Sequence, residues 1–129
     1  MIYYLDSSVA LQAVLPTFDQ ATLTAWFGAN RIPLVSSRLL RTEVIRGVRR
    51  EKRPLESGDW LLDRVNLIDI TRRTHTRAET IERHINTLDA LHLATATGLN
   101  APVTIVTHDS GMRDVAKSLG LDSIDPITQ

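Results

Sequence analysis

"IYYLDSSVALQAVL", residues 2 to 15, sets how the rest of the chain is read. Four aromatic or branched residues form a β-run, "IYYL" (2–5), which breaks at Asp6 and gives way to "SSVALQAVL", whose apolar residues fall at helical spacing. The same change of period recurs downstream. "PLVSS" (33–37) is followed by the helical "RLLRTEVIRGVRRE" (38–51), and "NLIDI" (66–70) by the polar helix "RRTHTRAETIERHI" (72–85). "VTIVT" (103–107) is followed by "SGMRDVAKSLG". Two further helices, "DQATLTAWFGAN" and "GDWLLDRV", begin after Pro16 and Pro54, where proline interrupts the pattern. Strands that alternate with longer helices describe an α/β fold with a mainly parallel sheet flanked by helices.

"TLDALHLATA" (87–96) adds a helix that is apolar almost all round and therefore belongs in the interior, yet it carries Asp89 in its first turn. An unpaired carboxylate entering such an element costs several kcal/mol or takes up a proton. A positively charged partner is expected.

The whole chain is 129 residues, the size of a single domain with its own core. Lys and Arg number 15 against 15 Asp and Glu, so no global field favours nucleic acid or membranes. Cysteine is absent, which excludes disulfides, thiolate catalysis and cysteine zinc sites and fits a reducing compartment. The N-terminus has no basic leader, and apolar stretches are interrupted within about ten residues, too short for a membrane span. A cytoplasmic protein with no membrane contact is expected.

The acids fall in a pattern. Asp6 follows the first strand directly and Asp109 comes two residues after the fourth. In a parallel sheet the carboxyl ends of strands, where the strand order reverses, are where ligands bind. Glu43 lies at the flank of the stripe Leu40, Val44 and Val48, above Gly47, from where it can reach inward. Taken singly, each acid has an ordinary reading: Asp6, Asp89 and Asp109 as helix caps or first-turn acids, Glu43 as a surface partner of Arg46 or Arg50. Together, with no lysine near, the four call for a cation between them, and hard divalent ions such as Mg²⁺ or Mn²⁺ prefer carboxylate oxygen and water.

At these residues the chain resembles the PIN-domain nucleases, and among them the VapC-type toxins of bacterial toxin–antitoxin pairs. "YLDSSVAL" resembles the opening strand with its Asp, "RTEVIRGVRR" the helix bearing the Glu, "LDALHLATA" the segment around the third acid, and "VTHDSGMRDVAKSLGL" the fourth. Ser7 stands where a Thr is frequent, and residues 52–70 match no family motif. The resemblance spans nearly the whole chain. It implies a three-layer sandwich, a single PIN domain over residues 1–129, and metal-site acids at Asp6, Glu43, Asp89 and Asp109, with Ser8 and Thr107 as supporting hydroxyls. It further implies Mg²⁺- or Mn²⁺-dependent endoribonuclease activity, homodimerisation and neutralisation by a cognate VapB-type antitoxin.

In that chemistry Asp6 and Asp89 are expected to be the firmest ligands, Asp109 to complete the cluster, and Glu43 to orient or deprotonate the attacking water, leaving a 5′-phosphate and a 3′-hydroxyl. Ser8 can donate to a carboxylate or to substrate phosphate, or cap its helix. Residues 38–53 hold seven basic residues, among them Arg46, Arg49 and Arg50, against Glu43 and Glu51, a local excess of five. The excess suits an RNA backbone, and equally a solvated face or an acidic antitoxin tail. His92 reads as a packed, hydrogen-bonded histidine, while His75, His84 and His108 show no metal spacing. Trp26, Phe27 and Trp60 read as core or dimer contacts. A phosphatase of the haloacid dehalogenase type is disfavoured because Ser8 replaces its second acid. The remaining alternative is a degenerate PIN or receiver-like binding module without nuclease activity, and the receiver version lacks a lysine after "VTHDS".

Overall fold

In the computed structural model, which describes residues 1–128, five parallel strands form one sheet in the order β3-β2-β1-β4-β5. The strands are β1 (Ile2–Leu5), β2 (Leu34–Ser37), β3 (Val65–Ile68), β4 (Val103–Val106) and β5 (Asp122–Ile124). From β1 the chain builds outward through β2 to β3, then returns to place β4 on the other side of β1. The order therefore reverses between β1 and β4, and the crevice above their carboxyl ends is the expected ligand position.

Alternation along β1 assigns its two faces. Leu5 packs with helices α1 (Ser7–Val14), α2 (Gln20–Ala29), α3 (Leu39–Arg50) and α4 (Asp59–Leu62), through Val9, Leu23, Phe27, Val44 and Leu61. Tyr4 packs on the opposite face with α6 (Thr87–Thr97) and α7 (Ser110–Ser118), through Leu93, Ala96, Met112 and Val115. The two apolar clusters give the three expected layers. Seven consecutive residues of α6, Ala90 to Ala96, are buried, as an all-round apolar helix requires.

The strands and helices otherwise lie within a residue or two of expectation, with two corrections. The polar helix expected over 72–85 stops as α5 (Arg72–Glu79), because Thr80 turns its hydroxyl back to the Arg77 carbonyl and Asn86 starts α6 in extended backbone. Ile81 and Ile85, which mimic a helical stripe, pack separately against the second cluster. β5 was not expected, since "DSI" is short and carries one apolar residue. It forms because Gly120 adopts φ +78°, letting Leu121 N–H close on the Ala116 carbonyl at 2.9 Å and turn the chain back along β4.

Gly47 also differs from its sequence reading. The space above it does not serve Glu43: a Cβ there would collide with the Leu11 side chain, so the glycine lets α1 lie close against α3. Among the described residues no helix is long and apolar enough to cross a membrane.

Candidate metal and nucleic-acid site

Asp6 leaves β1 at the point where strand order reverses, and it is 2% exposed. It occupies the N-cap position of α1 in extended backbone, yet its side chain makes no capping bond. Instead Oδ2 accepts two hydrogen bonds, from Ser8 Oγ and from Thr107 Oγ1, each at 2.7 Å. The direction of both bonds follows from their other partners. The Ser8 oxygen receives the His108 N–H at 3.1 Å, and the Thr107 oxygen receives the Asp109 N–H at 3.1 Å, so each hydroxyl proton is free to point at Asp6.

The other oxygen, Asp6 Oδ1, is buried and has no hydrogen-bond partner among the described residues. Such an orphan is costly in a folded protein unless something binds it. Two donors hold Oδ2, fix the rotamer and aim Oδ1. A divalent cation fits this oxygen by charge and hardness.

The remaining acids surround it loosely. Asp109 caps α7, its Oδ1 accepting from Gly111 N–H at 2.9 Å and Met112 N–H at 3.2 Å, so here the ordinary capping role is real. Both capping bonds fall on that one oxygen. Asp89 is not the cap of α6; Asn86 is, accepting the Asp89 N–H at 2.9 Å while donating to Asp89 Oδ2 at 2.9 Å. The Asp89 carboxyl is half-buried and its pKa is pushed up to about 6, first by burial and then by the negative charges of Asp6 and Asp109, with His92 and the Asn86 bond opposing. Three acids thus share one electrostatic neighbourhood. Among the described residues no three His, Asp or Glu close tightly enough round one point to hold an ion by themselves. Mg²⁺ commonly keeps several waters and takes one or two carboxylates, and Asp6 offers one free carboxylate oxygen to such an ion.

Glu43 turns inward and does not take the surface-pair reading. Among the described residues it pairs with no arginine: His92 Nε2 lies 2.7 Å from Oε1 and Ser7 Oγ donates to Oε2 at 2.9 Å. Sequence spacing does not single out Ser7 or Tyr4. Ser7 is legible only as a small hydroxyl residue beside Asp6, and Tyr4 as an ordinary strand aromatic. The Tyr4 hydroxyl, 2.7 Å from His92 Nδ1, has its pKa raised far above the ordinary range, chiefly by burial. His92 is fully buried and hydrogen-bonded, as expected. His108 joins the buried Asp125 at 2.8 Å, a pairing hidden by sequence distance. Phe27 is core, Trp26 stacks on Tyr3, and Trp60 stays 40% exposed.

The basic stretch divides. Arg38, Arg41 and Arg46 line a groove of about 560 Å³ with Ile45, Leu55 and the acids Glu56 and Asp59, whereas Arg49 and Arg50 are exposed beyond it. Among the described residues the ion pairs are those of His92 and His108, and no carboxylate lies within ion-pair distance of the α3 arginines.

Residues 3–118 match the PIN domain family. Ribonuclease VapC46 of Mycobacterium tuberculosis is 33% identical over 126 residues, covering 95% of this chain and 96% of that protein. Two solved structures share the fold at low identity. A toxin–antitoxin complex from Klebsiella pneumoniae superposes with TM-score 0.74 at 18% identity, covering 96% of this chain and 97% of that one. VapBC2 from Rickettsia felis, bound to a DNA fragment from its promoter, superposes with TM-score 0.73 at 19% identity, covering 96% and 98%.

Proposed function

The chain belongs to the PIN-domain family, and from that premise we propose that it is a divalent-metal-dependent endoribonuclease, the toxin of a VapBC-type pair, acting as one PIN domain over residues 1–129. The observation that carries the reading is the buried, unpartnered Oδ1 of Asp6, a residue that stands where strand order reverses and whose Oδ2 is held by Ser8 and Thr107. The name of the 33%-identical relative supports ribonuclease activity.

Asp6, with Asp89 and Asp109 beside it, would hold Mg²⁺ or Mn²⁺. Such an ion, when bound, neutralises the phosphodiester and lowers the pKa of its water. The protein's own groups do the rest. Ser8 and Thr107 keep Asp6 in one rotamer by both donating to Oδ2. The Asp109 cap on α7 fixes one carboxylate oxygen and leaves the other for a ligand or its water. Glu43, tied by Ser7 and His92 and with its side chain 22% exposed, would orient the attacking water. In-line attack then yields a 5′-phosphate and a 3′-hydroxyl.

Arg46, Arg49 and Arg50 hold the RNA backbone, and the groove at Arg38, Arg41 and Arg46 also suits an acidic segment of a VapB-type antitoxin. The toxin–antitoxin assemblies that share the fold support that partner. A homodimer in the cytoplasm completes the proposal. Purified toxin freed of antitoxin, incubated with a structured RNA, tests it: cleavage with Mg²⁺, none in EDTA, and none from Asp6→Asn. RNA binding without cleavage under all three conditions identifies a binding module instead.

A further inference from the structure

One buried polar chain is not accounted for by metal holding. It starts at the backbone of β2, where Ser37 N–H donates to the Tyr4 hydroxyl at 3.0 Å. Tyr4 meets His92 Nδ1 at 2.7 Å, and His92 Nε2 meets Glu43 Oε1 at 2.7 Å. Four elements, β2, β1, α6 and α3, contribute one link each. Tyr4 is 1% exposed and His92 0%.

A histidine satisfied within the core would be the ordinary account of such burial, and it would be sufficient had the chain ended on a backbone carbonyl. Here it ends on the carboxylate of a side chain that is 22% exposed, and the second oxygen accepts from Ser7, the neighbour of Asp6. A glutamate on a helix ordinarily samples many rotamers. This one is clamped at both oxygens by donors that are themselves packed, the supporting arrangement that a preorganised site needs.

The polarity is set by the end groups. A carboxylate only accepts, so Nε2 carries the hydrogen; Nδ1 can then accept the Tyr4 O–H, whose oxygen in turn takes the Ser37 N–H. The Nε2–H tautomer satisfies every link.

We propose that His92, backed by Tyr4, is a positioning residue for RNA cleavage, holding the Glu43 carboxylate in its working orientation through a chain of hydrogen bonds anchored on the β2 backbone. It touches neither substrate nor metal. The inference rests on the nuclease reading, since it assigns a cause to the orientation of one of that site's acids.

The full-length chain carrying Tyr4→Phe, His92→Leu or His92→Gln tests it. Loss of an outer supporting bond lowers turnover about tenfold to a hundredfold. Tyr4→Phe and His92→Leu should each fall within that range in kcat, with KM within about twofold of wild type. His92→Gln, whose amide can donate to Glu43, should recover most of the loss. Glu43→Gln should cost less in the His92→Leu background than in wild type, because the two residues are coupled. Independently of activity, long-range ¹H–¹⁵N NMR of the His92 ring should show the Nε2–H tautomer. Wild-type kcat in Tyr4→Phe, a Gln variant as slow as the Leu variant, or an Nδ1–H ring overturns the assignment. If His92→Leu does not fold, Tyr4→Phe and the tautomer decide. A wild type that cuts no RNA with Mg²⁺ or Mn²⁺ refutes the nuclease reading itself, and the positioning role falls with it; an active wild type with indifferent variants refutes the positioning role alone.

Discussion

Replacing Asp89 by Asn should stabilise the metal-free protein. In the folded chain burial and the charges of Asp6 and Asp109 raise the Asp89 pKa from 3.8 to about 6, so at neutral pH the carboxylate is held ionised in a place that disfavours it. A displacement of about two pKa units corresponds to about 3 kcal/mol if fully expressed. Asp89 is only half-buried and water screens it, so about 1 kcal/mol is the realistic gain. That is roughly 2–6 °C in melting temperature for a chain of this size. Asn keeps the volume, the Asn86 cap on its backbone N–H, and an oxygen to accept from Asn86 Nδ2.

The pH dependence has a definite sign. Between about pH 4 and 6 the folded state binds the Asp89 proton that the unfolded state has released, so wild-type stability falls as pH rises through that window. Wild type and Asp89→Asn should therefore melt together near pH 4 with respect to this group and diverge by pH 7.5. Melts in EDTA at a series of pH values, repeated with millimolar Mn²⁺, provide the assay. Added Mn²⁺ should raise wild type more than the variant, because a ligand that binds only the folded state stabilises it by mass action. A variant that melts lower than wild type in EDTA at pH 7.5, or an offset that does not change with pH, would refute the reasoning.

Ser8→Ala and Thr107→Ala should each reduce cleavage about tenfold to a hundredfold by loosening the Asp6 rotamer, read as initial rates at saturating Mg²⁺. Reversing Arg49 and Arg50 to Glu should flatten the salt dependence of RNA binding by about one log-slope unit for each phosphate no longer neutralised, and an unchanged slope in filter binding would assign these arginines to antitoxin or solvent. Gly47→Ala should forfeit most of its gain of about 1 kcal/mol in helix propensity, because the new Cβ displaces the tip of the Leu11 side chain, and a Leu11→Ala background should restore that gain in denaturant melts.

The parallel sheet was legible because its strands "IYYL", "PLVSS", "NLIDI" and "VTIVT" are compact and each is followed by a helix. β5 was not, since its pairing with β4 is set by the turn at Gly120 rather than by apolar pattern. Asp6 was found at the right edge because a residue that follows a strand inherits that strand's end. What sequence could not distinguish is which acids are caps. Asp6 sits at a cap position without capping, Asp109 caps with one oxygen, and Asn86 takes the role from Asp89. Local spacing is identical for a capping and a non-capping Asp, and the difference lies in Thr107, about a hundred residues from Ser8. The Tyr4–His92–Glu43 chain was hidden for the same reason, each link joining a different element.

The central claim is that the free, buried oxygen of Asp6 is built to receive a divalent cation. Titration calorimetry of Mn²⁺ into the full chain, wild type against Asp6→Asn, tests it without reference to RNA. Wild type should show a saturable binding event that Asp6→Asn lacks and that Ser8→Ala keeps at weaker affinity. Equal Mn²⁺ affinity in wild type and Asp6→Asn would contradict it.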